Sequence, residues 1–127
     1  MNTNARPIII AGAMLAFLGV ALGAFGAHAL RSRVDANLLA VYQTGVQNHL
    51  VHALGVILIG VLVQVAPNSK WLRIAGWTMV VGVIVFSGSL YTLSLTGVRA
   101  FGALTPLGGV ALLAAWLMLA LGAAKSK

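Results

Sequence analysis

Four stretches without a charged residue divide the chain: Ile8–Leu30, Ala36–Ser69, Ile74–Val98 and Ala100–Ala124. An α-helix needs about 20 apolar residues to cross the ~30 Å hydrocarbon core of a bilayer, and every one of these runs exceeds that. Lipid offers no partner for backbone N–H and C=O groups, so such runs must close their hydrogen bonds internally as helices. With 61% hydrophobic and 7% charged residues, the chain lies far from the balance of a water-soluble globule. The sequence therefore predicts an all-α integral membrane protein, a bundle of four transmembrane helices.

The chain of 127 residues is read as a single membrane domain, residues 1–127. Its spans are expected at about 8–30, 48–65, 71–95 and 102–124. The run from Ala36 to Val65 exceeds one upright span, since about 30 residues make ~45 Å of helix. Its first part, 36–47, is expected to be an amphipathic interfacial segment, with a bend at Gly45. Arg6, a following apolar run and Ala27-His28-Ala29 mimic a secretion signal. Signal-peptide apolar regions run only about 7–15 residues, however, so an uncleaved first helix is expected.

Charge supplies orientation rather than a partner. The eight Lys and Arg lie in singles and pairs at span boundaries, which forms no nucleic-acid-binding stripe and predicts no nucleic-acid partner. Arg6, Lys70, Arg73, Lys125 and Lys127 fall on one side and Arg31, Arg33 and Arg99 on the other, which favours cytoplasmic N- and C-termini. Absent cysteine excludes disulfides and thiolate metal sites.

Several local signals carry meaning. Asp35 either completes a capping box with Ser32 or caps the second helix itself. Gly19, Gly23 and Ala27, at intervals of four, give helix 1 a small-residue face for close packing against helix 2 or helix 4. Thr105-Pro106 followed by Gly108-Gly109 should kink helix 4 or loosen its start. Trp71 and Trp77 suit the aromatic belt at the membrane surface.

Polar residues within spans are rare and point to function or to helix pairing. His28, His49 and His52 are expected at one membrane level, close to Tyr42, Gln43 and Gln47. They are the weak candidates for a metal site, a haem held between helices or a proton relay. Ser87, Tyr91 and Ser94, at i, i+4 and i+7, form a polar stripe that Thr105 is expected to face. The alternative to a site is that these groups bond neighbouring helices. Acid–base catalysis by paired carboxylates is excluded by the lone Asp35 and the absence of Glu. No nucleophile-elbow pattern frames a serine, so no enzyme and no resident cofactor are expected.

Four motifs occur in order: Leu22-Gly-Ala-Phe-Gly-Ala-His-Ala-Leu30, Tyr42-Gln-Thr-Gly-Val-Gln47 with His52-Ala53, Phe86-Ser-Gly-Ser-Leu-Tyr91, and Thr105-Pro-Leu-Gly-Gly109. In these the chain resembles domain-of-unknown-function family 423, the YgdD/YwdK-like small membrane proteins of bacteria, to which eukaryotic transmembrane protein 256 is similar. The resemblance implies a multi-helix protein of the bacterial cytoplasmic (inner) membrane and supplies no activity. It covers His28, Tyr42, Gln43, Gln47, His52, Ser87, Ser89, Tyr91, Thr105 and Pro106. His49 lies outside the motifs, which makes it the weakest member of the histidine trio. The first expectation for function is a non-enzymatic protein that binds lipid or a membrane partner, with a homo-oligomer possible. The alternatives are a small carrier or channel component using Ser87/Tyr91/Ser94 and His28/His52, and a haem or metal protein.

Overall fold

Capping chemistry and glycine decide where each apolar run starts and stops. The computed structural model describes residues Met1–Ser126. Helix α1 spans Ala5–Phe25 and continues as a π-wound turn, Gly26–Leu30. Asn2 starts it, its Oδ1 accepting from the N–H groups of Asn4 (3.0 Å) and Ala5 (2.7 Å). Helix α2 spans Ala36–Val65. Asp35 is its N-cap, accepting from the Leu38 N–H at 2.8 Å, so of the two capping possibilities the second holds.

Helix α3 spans Lys70–Thr96, between the Ser69 N-cap and Gly97. Gly97 adopts φ 70°, the left-handed conformation that glycine enters without a Cβ penalty, and its N–H closes on the Leu93 carbonyl. Arg99–Ala103 forms a 3₁₀ turn, and α4 spans Thr105–Lys125 with Pro106 in its first turn. The proline thus marks a helix start, where its missing N–H costs nothing, rather than a kink. All four helices are long and apolar enough to cross a membrane.

Each helix packs mainly on its neighbours in the chain, α1 on α2, α2 on α3 and α3 on α4. Glycines set these antiparallel contacts. Gly12 lies against Ile57, Gly19 against Leu50 and Gly23 against Val46. A Cβ on Gly19 would stand 2.6 Å from the Leu50 side chain, closer than real carbons approach. The face predicted from Gly19, Gly23 and Ala27 needs one correction: the seam continues through Gly26, and Ala27 is exposed. At 100° per residue, a step of seven returns to within about 20° of its start, whereas two steps of four drift by about 80°. On the other side of the molecule, Gly108 lies so close to the Phe86 backbone that no side chain fits between them.

Helix α2 runs unbroken through Gly45, so no separate segment over 36–47 is set off from the span. The absent side chain at Gly45 admits α3 instead: a Cβ there would meet the Tyr91 ring at 2.9 Å. About 45 Å of helix against ~30 Å of hydrocarbon leaves the first turns of α2 near the headgroups. The interior then divides along its length. The half near Asn2 and Lys70 is an apolar core that includes Ile8, Val56, Ile59, Leu72 and Met79. The half towards Asp35 holds buried polar residues of α2 and α3, among them His49, Ser87, Ser89 and Ser94.

Candidate functional site

Tyr42, two turns into α2, is 1% exposed, with its ring against Gly26. Its hydroxyl donates to the Leu22 carbonyl, just before α1 changes to π winding. π turns widen the helix and recur where a backbone makes a specialised contact. The Tyr42 ring also meets Tyr91 of α3, with centroids 5.2 Å apart.

Two turns further along α2, His49 bridges three helices and is 4% exposed. Its Nε2 lies 2.7 Å from the Leu15 carbonyl of α1, and its Nδ1 lies 2.8 Å from the Tyr91 hydroxyl of α3. A carbonyl only accepts, which assigns the proton to Nε2 and makes Tyr91 the donor to Nδ1. His52 takes the opposite neutral tautomer. Its Nδ1–H donates to the Asn48 carbonyl at 2.8 Å, and its Nε2 accepts from Trp116 Nε1 of α4 at 3.0 Å. Ser87 Oγ donates to the Gly45 carbonyl at 2.8 Å, joining α3 to α2.

Several expectations change here. The three histidines do not share one level. His49 sits beside Leu15, and His28 lies about 13 residues further along, on the order of 20 Å at ~1.5 Å per residue. His28 is exposed on the π turn. Both ring nitrogens of His49 and of His52 are engaged in hydrogen bonds to neighbouring groups. Among the described residues no three His, Cys, Asp or Glu side chains group as metal ligands. His49, ranked weakest in the sequence, is the histidine that ties most helices together.

Each member of the Ser87/Tyr91/Ser94 stripe makes its own separate hydrogen bond. Ser94 returns its hydroxyl to the Leu90 carbonyl of its own helix. Thr105 does not face that stripe; it meets Ser89 at 2.6 Å. Ser89 gives its one proton to the Phe86 carbonyl at 2.8 Å, so Thr105 is the donor in this α3–α4 link. Trp116 escaped notice in the sequence although a signal was present. Tryptophan favours the membrane surface, whereas Trp116 stands mid-helix, where its N–H needs a buried partner.

Other candidate residues converge on a surface. Gly23, Gly26 and Ala27 of α1 and Tyr42, Gln43 and Gln47 of α2 line a groove of about 340 Å³ with a mainly carbon wall. Gln43 and Gln47 are exposed at its edge and form no hydrogen bond with the described residues.

These features define a class: a small, four-span, all-helical membrane protein whose buried polar groups link its helices to one another. Residues 22–109 match the family described as "Protein of unknown function (DUF423)", and the chain belongs to that family. It is 46% identical to the UPF0382 membrane protein YwdK of Bacillus subtilis, over 94% of this chain and 98% of that protein. It is 37% identical to the UPF0382 inner membrane protein YgdD of Escherichia coli, over 98% of this chain and 94% of that protein. No solved structure matches it. It is accordingly a multi-pass protein of the bacterial inner membrane.

Proposed function

We propose that the chain acts without catalysis, by binding a membrane lipid in the α1/α2 groove, with both termini in the cytoplasm. The observation that carries this reading is how the polar groups are divided. Tyr42, His49, His52, Ser87, Ser89 and Tyr91 all spend their hydrogen-bonding capacity inside the bundle. Gln43 and Gln47 keep theirs, beside an apolar channel. At about 340 Å³ the groove falls within the ~300–1,000 Å³ typical of small-molecule sites. An acyl chain would lie along Gly23, Gly26 and Val46, with the two amides reaching its ester oxygens. A carrier or channel would need a continuous polar route, and the interior hydroxyls and imidazoles are paired off locally instead.

Purification of the full chain in mild detergent, with native mass spectrometry, tests the reading. Retained lipid should be reduced by Gly23→Leu, which fills the groove, and by the Gln43→Leu/Gln47→Leu pair. A particle free of lipid in every preparation, or retention unchanged in both variants, overturns it.

A further inference from the structure

At the opposite end of the bundle, Lys70, Arg73 and Trp77 recur at i, i+3 and i+7 along one face of α3. With Thr3 and Asn4 of the α1 entry and with Thr78, they line a second cavity of about 480 Å³. The α1 entry is held in place: Asn2 donates from its backbone N–H to Gln64 Oε1 at 2.8 Å, and from Nδ2 to the Val63 carbonyl at 3.2 Å.

Arg73 is the informative residue. Its Nε is buried and meets no acceptor among the described residues. Buried donors are nearly always satisfied, so an unpartnered buried N–H on a guanidinium is an exception. The chain's one acidic side chain, Asp35, caps α2 at the other membrane end and cannot serve. Lys125 is occupied elsewhere, its Nζ lying 4.8 Å over the Trp71 ring. Lys70 and Arg73 thus face the cavity with no anion among the described residues. The first turn of α3 adds the positive end of its dipole. One turn deeper, Trp77 is 45% exposed and presents an amphipathic ring at the depth where a glycerol backbone would lie.

We infer that this cavity is a binding site for the phosphate of an anionic glycerophospholipid. The guanidinium of Arg73 would hold the phosphate oxygens through its fork of donors. Lys70 would add a second charge at the membrane surface, and the acyl chains would descend past Trp77 and Ile74. This inference shares the lipid-binding theme of the groove but stands on a separate site.

The test uses the full chain in mild detergent, with phosphatidylglycerol and phosphatidylcholine of identical acyl chains competing in native mass spectrometry. Each basic residue near a membrane surface contributes on the order of 1 kcal/mol, so two predict a preference for phosphatidylglycerol of about thirty-fold. Lys70→Gln/Arg73→Gln should reduce that to within about threefold. Arg31→Gln/Arg33→Gln removes the same charge from the other end and should leave the preference intact. Should the first pair fail to fold, Arg73→Lys keeps the charge, loses the fork and should give an intermediate preference.

Equal retention of the two lipids overturns the inference. So does a preference that survives Lys70→Gln/Arg73→Gln, or one that falls equally in the Arg31/Arg33 control. Saturable binding of inorganic phosphate without lipid retention would move the ligand to solution and overturn the lipid assignment. Gly23→Leu, which blocks the groove, should leave the phosphatidylglycerol preference unchanged, so the two readings fail separately.

Discussion

His49 allows the sharpest test of whether the buried polar layer is structural. His49→Leu removes two bonds, to the Leu15 carbonyl at 2.7 Å and to the Tyr91 hydroxyl at 2.8 Å. Interhelical side-chain bonds in membranes average about 0.6 kcal/mol and reach ~1.7, so the two together supply about 1.2 kcal/mol. Leu15 lies inside α1, so its carbonyl keeps its helical partner and adds no penalty. The half-buried Tyr91 hydroxyl is left without its acceptor, at a further cost of about 1–3 kcal/mol. The single variant should therefore lose roughly 2–4 kcal/mol. Tyr91→Phe should lose roughly 2–4 kcal/mol, from one bond and an unpaired imidazole nitrogen. In the double variant neither orphan exists and the shared bond is lost only once, so its cost should fall short of the sum by about 3 kcal/mol or more. Reversible unfolding in mixed micelles, followed by tryptophan fluorescence, measures each step. Coupling below about 0.3 kcal/mol would refute the reasoning. His49 would then be no strut between helices, and its nitrogens would be open to a ligand.

Three further outcomes follow from the same geometry. Gly108→Ala should destabilise by about 1–3 kcal/mol and loosen α4, because its methyl would meet the Phe86 backbone, which cannot swing aside as a side chain can; cysteine crosslinking between Ser89 and Thr105 positions would report the separation. Asp35→Ala should cost about 1 kcal/mol and raise amide exchange at Leu38, with Asp35→Asn retaining most of the cap. Trp116→Phe should cost on the order of 0.6 kcal/mol, and nitrogen NMR of His52 should show its Nε2 losing a donor while Nδ1 stays protonated; an unchanged Nε2 signal would contradict the tautomer assigned here.

The spans were legible because lipid leaves an apolar run no other choice, and Asp35 was legible because a lone acid before a helix has one obvious use. Interior partners were far less so, for a reason particular to membranes. In water, the inward face of a helix is marked by its apolar residues. In lipid both faces are apolar: Leu54 and Leu58 of α2 point outward, 65% and 50% exposed, while Val56 and Ile59 are fully buried. Periodicity of hydrophobicity then says little about which helix meets which. His49 lies outside the four motifs, yet its position four residues before Ala53 and seven after Tyr42 puts it on the buried stripe. The marks that do survive in lipid are the residues that cannot be there for grease. Gly12, Gly19 and Gly26 repeat every seven residues and trace the α1–α2 seam. Trp116 sits at a depth tryptophan avoids, and points to its partner's helix. Small residues locate the contact, and a polar atom too deep for water shows where another helix must supply its bond.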